Sequence, residues 1–199
     1  MSNSQKVIIV GGGAFGMSAA IELRGRGYEV DLFDPGPIPH PLAATTDISK
    51  ALRMDYGADE EYMILMEEAF EIWDQWNRVW EKPLWHKTGF VIMAREEMKP
   101  GSFELESFRL LQKRGHKVER LDADELKRRF PAWNAEIYHD GYYNPRAGWA
   151  ESGRVLEWLY IEAQRLGVRF HTGKKFSHLL DKESRVTGIQ TDDGENVEP

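Results

Sequence analysis

Gly11, Gly13 and Gly16 stand in the spacing GxGxxG directly after the aliphatic run Val7–Val10. In a strand-turn-helix unit the first such glycine permits a tight turn, the second lets backbone approach a pyrophosphate, and the third lets helix pack close to strand. Asp34 ends a second predicted strand, Tyr28–Phe33. A carboxylate there can accept hydrogen bonds from both hydroxyls of an adenosine ribose and would repel a 2′-phosphate. These residue types predict a dinucleotide site, its phosphates on the free N–H groups of a helix starting near Ala14. A plain βα turn is the competing reading; the helix, second strand and terminal acid around the motif favour the site. Further along, Thr45, Thr46, Ser49, Lys50 and Arg53 gather hydroxyls and two cations in one polar stretch. On spacing alone, Lys50 and Arg53 read first as one turn of a solvated helix.

The elements that must position these residues follow from periodicity and breakers. Val7–Val10 reads as a strand buried on both faces, because nothing polar interrupts it. AFGMSAAIELRGRG reads as a helix with small residues in its early turns, ended by Gly25 and Gly27. After Asp34, PGPIPHPL can be neither helix nor inner strand, whereas a plain nicotinamide dehydrogenase would enter another strand-helix unit. A long helix is predicted from the N-cap Asp59, with Glu60 and Glu61 in its first turn. Its apolar positions Tyr62, Leu65, Met66, Ala69, Phe70, Trp73, Trp76 and Trp80 read as a core stripe.

Trp85–Ala94 is predicted as a strand kinked at Thr88-Gly89, and Ser102–Arg114 as a helix closed by Gly115. A short helix at Asp124–Arg129 stops at Pro131, and a strand at Ile137–Tyr143 leads into the loop NPRAGWAES. The helix Gly153–Leu166 and the strand Val168–Thr172 can return to the first sheet as a third parallel strand. Extended segments Phe176–Leu180 and Arg185–Thr191 precede the turn DDG. The order predicts an α/β chain: a Rossmann-like βαβ domain from residues 1–57 and 150–199, with an inserted α+β domain at 58–149.

Composition narrows the partners. The 199 residues carry a net charge of −7, which argues against nucleic acid and against an anionic membrane surface. No cysteine is present, so disulfides, thiolate metal sites and thiol nucleophiles are excluded, and a reducing intracellular compartment fits. The histidines are scattered without HExxH spacing, and no metal site is expected. Adjacent glycines inside the first apolar run argue against a signal peptide, and no stretch is long enough to span a membrane.

The segments VIIVGGGAFG, DLFDPGP, TTDISKALRMDYGADEEYM, HKTGFVIM and GYYNPRAGWAESGRVLEWLYIEAQRLGVRFHTG resemble the D-amino acid oxidase-like flavoenzymes. The resemblance is to the branch holding sarcosine, pipecolate, saccharopine and fructosyl amino acid oxidases, and it covers essentially the whole chain. It implies FAD rather than NAD, and oxidation of a carbon–nitrogen bond in an amino acid or secondary amine with oxygen as acceptor. Carried over by position, Gly11, Gly13, Ala14, Phe15 and Gly16 would surround the pyrophosphate and Asp34 the ribose. Thr45, Thr46 and Ser49 would line the flavin and its ribityl chain, with Lys50 near the reactive face and Phe176 offering backbone to the adenine. Arg53 matches the arginine that grips the substrate carboxylate in sarcosine oxidase-like members. Fructosyl amino acid oxidases generally lack it, which points to a pipecolate-, saccharopine- or sarcosine-like substrate. Members are often peroxisomal, so the expected location is cytoplasmic or peroxisomal.

A family member would continue past ENVEP into further strands, a substrate-domain sheet and a second glycine-rich segment. Where flavin is attached covalently in this branch, the attaching cysteine lies in that later half, so FAD here would be held non-covalently. The chain is therefore expected to be a truncated form, weak in FAD, prone to associate and without measurable turnover. The alternatives are a non-catalytic protein that keeps the fold and a nicotinamide dehydrogenase.

Overall fold

The computed structural model describes residues 5–134 and 136–199. These divide into two compact units, one of the described residues up to Ser49 with Glu151–Pro199, the other Lys50–Ala150. Before Ser49 run β1 (Lys6–Val10), α1 (Ala14–Gly25) and β2 (Glu29–Asp34). The second unit holds β3 (Lys50–Leu52), α2 (Glu60–Val79), β4 (Trp85–His86), β5 (Phe90–Ala94), α3 (Phe103–Lys113), β6 (Glu119–Asp122), α4 (Ala123–Arg129), β7 (Asp140–Asn144) and β8 (Gly148–Ala150). After Glu151 come α5 (Ser152–Arg165), β9 (Arg169–Thr172), β10 (Phe176–Lys182), β11 (Arg185–Thr191) and β12 (Asn196–Val197).

In the first unit β2 lies between β1 and β9, all parallel, with Ile8 opposite Asp31 and Asp31 opposite Arg169. The return of β9 to the first sheet is as the sequence predicts. The burial of β1 is not: its residues are only partly covered, and Val10 is 47% exposed. A strand with one neighbour is shielded on one side, so full burial falls to β2, whose residues from Val30 to Asp34 are all buried despite two aspartates. Helix α1 packs on β2 and on α5, burying Met17 and Ala20 while α5 buries Leu156, Leu159 and Ala163. An antiparallel sheet of β10, β11 and β12 completes the unit, its first hairpin turned by Glu183 and Ser184 at positive φ.

In the second unit Asp59 caps α2, its carboxylate accepting the N–H of Tyr62 at 3.3 Å. The apolar stripe on α2 is wider than the part that is covered. Met63, Phe70 and Trp80 are buried, yet Tyr62 and Leu65 are 56% and 59% exposed, which corrects the core reading of those two positions. Phe70 stacks on Trp85 at 5.2 Å, and the rings of Trp73, Trp76 and Trp80 also contact one another along the helix.

The predicted strand Trp85–Ala94 is two strands in different sheets, separated where Gly89 adopts φ +79°. β4 joins β3 and β8, and β5 joins β7 and β6, all antiparallel. β8 runs through the segment read as a loop, and β6 was not expected, because only Leu121 of its ERLD is buried and alternation is invisible in so short a run. Residues 50–57, placed by the sequence in the first domain, begin with β3, whose Lys50 pairs with Ala150 in the second unit. Among the described residues no helix is long and apolar enough to cross a membrane.

Candidate cofactor site

The glycine loop is assembled by steric fit. Gly11 takes φ +100°, a conformation that L side chains rarely adopt, and its N–H donates to the Phe33 carbonyl at 2.8 Å. A Cβ on Gly16 would overlap the Gly11 carbonyl oxygen and stand 3.3 Å from Ile9 Cγ2, so the loop and β1 meet the first turn of α1 only because this residue is glycine. Gly13 is the N-cap of α1, with no side-chain cap bond and no acid in the first turn. The early N–H groups of a helix have no partner within it and carry partial positive charge, which favours an anion. Ala14 opens the helix and Phe15 is 93% exposed.

Asp34 makes two contacts that the sequence did not assign to it. Its Oδ2 accepts the N–H of Gly12 at 2.7 Å and its Oδ1 the N–H of Gly36 at 2.9 Å, while the residue is 7% exposed. The acid therefore braces the glycine turn from the end of β2. A carboxylate offers about four lone-pair directions, so capacity remains for a ligand hydroxyl. Gly12 was missed as a site residue. A Cβ there would press on the Ile38 side chain and lie 3.3 Å from Asp34 Oδ2. The signal was present in the sequence as the run of three glycines.

The threonine loop sits beside this turn. The position a Gly13 Cβ would occupy is 3.6 Å from Thr45 Oγ1, an ordinary contact. The hydroxyl oxygens of both Thr45 and Thr46 are buried and have no hydrogen-bond partner. Buried hydroxyls are rarely left so, and each exception calls for an explanation such as an absent ligand. Two orphaned hydroxyls on one loop, that of Thr45 beside an uncapped helix N-terminus, fit the polar and anionic groups of a dinucleotide. Ser49 is exposed, and Phe176 is half-buried at the start of β10, opposite Thr191.

Lys50 and Arg53 belong to the second unit. Lys50 is exposed on β3. Arg53 is half-buried, its guanidinium carbon 5.1 Å from the Tyr56 ring centre and 5.7 Å from that of Phe103. One of its N–H groups donates to the backbone carbonyl of Asp55. The planar fork has five donors, so this contact orients the group without exhausting it. Asp55 itself is fully buried, its carboxylate accepting Tyr142 Oη at 2.6 Å and Asn144 Nδ2 at 3.5 Å. Burial pushes its carboxyl above the usual aspartate range, against the pull of Tyr142, Arg53 and Asn144. The sequence reading passed over Asp55, since an acid beside a tyrosine and a glycine looks like a turn residue.

A glycine turn, an uncapped helix and a bracing acid on a parallel sheet define a dinucleotide-binding protein of the Rossmann type. The chain belongs to the FAD dependent oxidoreductase family, which it matches over residues 6–198. FAD is thus the dinucleotide, and the nicotinamide alternative falls away. The chain is 29% identical to L-saccharopine oxidase of Schizosaccharomyces pombe, covering 96% of this chain and 48% of that protein. It is 27% identical to N-methyl-L-tryptophan oxidase of Salmonella dublin, over 94% of this chain and 50% of that one. A crystal structure of a modified fructosyl peptide oxidase from Aspergillus nidulans superposes with a TM-score of 0.82 at 25% identity, covering 99% of this chain and 48% of that one. The chain spans about half the length of the curated relatives it matches.

Proposed function

We propose that this chain carries the FAD-binding part, and a portion of the substrate-binding part, of an oxidase acting on the carbon–nitrogen bond of an amino acid or secondary amine, with oxygen as acceptor. The observation that carries the reading is the pair of buried, unpartnered hydroxyls of Thr45 and Thr46, the first of them beside Gly13. In this reading the N–H groups around Gly11, Gly13, Ala14, Phe15 and Gly16 hold the pyrophosphate, and Asp34 accepts from the ribose. Thr45, Thr46 and Ser49 hold the flavin and its ribityl chain, and the backbone at Phe176 meets the adenine. FAD, when bound, supplies a two-electron acceptor for the hydride of the substrate carbon.

The chain's own residues do the rest. Arg53 takes a substrate carboxylate through two parallel hydrogen bonds, which fixes the neighbouring carbon in place. Tyr56, Phe103 and the Asp55 carbonyl hold its guanidinium in one orientation beforehand. Lys50 supplies positive charge where negative charge develops. A carboxylate-bearing secondary amine of the saccharopine, pipecolate or sarcosine type suits Arg53, in keeping with the saccharopine oxidase among the relatives. The division of labour places FAD binding in the first unit and substrate binding in the second.

The test is the visible spectrum of the protein purified without added FAD, followed by hydrogen peroxide output against a panel of secondary amino acids. Flavin absorbance supports the cofactor part of the reading; peroxide from a carboxylate-bearing amine supports the oxidase part and overturns the expectation that this chain lacks turnover. A colourless protein that shows no saturable FAD binding on titration would overturn it.

A further inference from the structure

The loop that carries Thr45 and Thr46 is tied to α5 by main-chain geometry. The backbone carbonyl of Asp47 accepts the N–H of Gly153 at 2.9 Å and the hydroxyl of Ser152 at 3.1 Å. Both donors lie in the first turn of α5, where N–H groups have no partner inside the helix. Glu151, at the N-cap, makes no side-chain cap bond, so a carbonyl from a distant loop does the capping. Ser152 is buried, at 9% exposure, so its hydroxyl depends on that carbonyl for a partner.

Gly153 sets how near the loop can come. A Cβ added there would stand 3.0 Å from the Asp47 carbonyl oxygen, tighter than ordinary contact, and the loop would have to give by a few tenths of an ångström. The two orphaned hydroxyls lie one and two residues before Asp47, on the same short stretch, with Thr46 N–H bonded to Ala43 O at 2.9 Å. A shift of Asp47 is therefore transmitted to them. Hydrogen bonds lose strength steeply with distance and angle, so small displacements matter.

We propose that Ser152 and Gly153 are positioning residues of the cofactor site: by holding the Asp47 carbonyl they set the Thr45 and Thr46 hydroxyls for FAD without touching it. This rests on the reading that the threonine loop holds FAD. It assigns a role to the start of α5, which sequence reasoning treated only as a helix returning the chain to its sheet.

The experiment titrates FAD into the full chain carrying Ser152→Ala, Ser152→Thr or Gly153→Ala, followed by flavin fluorescence, with amide exchange of residues 43–48 measured without FAD. Ser152→Ala and Gly153→Ala are expected to weaken FAD about three- to tenfold, the worth of one hydrogen bond. Ser152→Thr keeps the hydroxyl and the parent affinity. Alanine favours helix over glycine, so Gly153→Ala should melt at or above the parent while binding FAD less well. General structural damage would lower both. Faster exchange at 43–48 in the two weakened variants, with β2 unchanged, completes the expected result. Parent affinity in Ser152→Ala and Gly153→Ala despite faster loop exchange overturns the proposal, as does parallel loss of melting temperature and affinity in all three variants. If the parent chain shows no saturable FAD binding while loop exchange responds as expected, the cofactor reading of the threonine loop is what fails, and the positioning role falls with it.

Discussion

The carboxylate of Asp34 accepts the backbone N–H of Gly12 at 2.7 Å, which ties the end of β2 to the glycine turn that β1 feeds. Any ligand held by that turn therefore depends on Asp34 through the shape of the loop, and in the proposed reading through a direct contact as well. Asp34→Ala should weaken FAD by roughly 1.5–3 kcal/mol, the range for hydrogen bonds to a charged group. Asp34→Asn should recover little, since it turns an amide N–H₂ towards one of two backbone N–H donors. Flavin fluorescence titration checks both, and unchanged affinity in Asp34→Ala would move the ribose contact elsewhere.

Gly16 and Gly13 should fail in different ways. A side chain on Gly16 overlaps the Gly11 carbonyl, so Gly16→Ala is expected to destabilise the fold by about 1–3 kcal/mol or more, as overpacking does. Around Gly13 an added Cβ meets only ordinary contact with Thr45. Gly13→Val should therefore fold, and lose FAD because the side chain fills the space through which backbone approaches the pyrophosphate. Denaturant unfolding beside FAD titration separates the two, and FAD retention by folded Gly13→Val would refute the assignment.

In a preparation that turns over, Arg53→Ala should raise KM for a carboxylate substrate much more than for the matching neutral amine. Equal effects on both would make Arg53 purely structural, a role its contacts with Tyr56, Phe103 and Asp55 could serve. Lys50→Met should instead slow flavin reduction or reoxidation and leave substrate binding intact. Stopped-flow absorbance reads the difference.

Two buried aspartates should respond oppositely to pH. At Asp31 burial raises the carboxyl, but hydrogen bonds from Arg169, His171 and Lys6 outweigh it and hold the group well below its ordinary value. A depressed group stabilises the fold above its unfolded value, and that contribution is lost as pH falls, here below about pH 4. At Asp55 burial prevails and raises the carboxyl. A raised group stabilises below the unfolded value and loses that contribution as pH rises above about pH 4. Asp31→Asn should flatten the acid limb of the stability profile, and Asp55→Asn the decline on the other side. Denaturation across a pH series checks this, and a profile for Asp55→Asn parallel to the parent would contradict it.

Arg169→Ala should destabilise by roughly 1–2 kcal/mol, short of the loss for a fully buried pair, because Arg169 is about half-exposed and His171 and Lys6 remain on Asp31. The effect should shrink in acid, where Asp31 is protonated. A loss that is the same at every pH would show that packing, rather than charge, is what Arg169 contributes.

The strand, glycine turn, helix and acid of the first unit could be read from the chain because local sterics dictate them. Only glycine tolerates the turn at Gly11, and only glycine clears the carbonyl beneath Gly16. The cap Asp59 was legible for the same reason, since it bonds an N–H three residues ahead. What depends on neighbours was not legible. Val7–Val10 is as apolar as an inner strand, yet among the described residues β1 has one partner strand and β2 has two, so burial went to the sequence with the charges. Asp31 is tolerated there because Arg169 and His171 arrive from a strand far along the chain. The same holds at the site. The sequence by itself determined which residues form the glycine turn and its acid, whereas only the tertiary structure decided that Asp34 braces Gly12, that Asp47 rests on α5, and that two threonine hydroxyls lie buried without partners. These are meetings between segments distant in sequence, and the energy of such a contact is set by what else occupies the space, which no local pattern records.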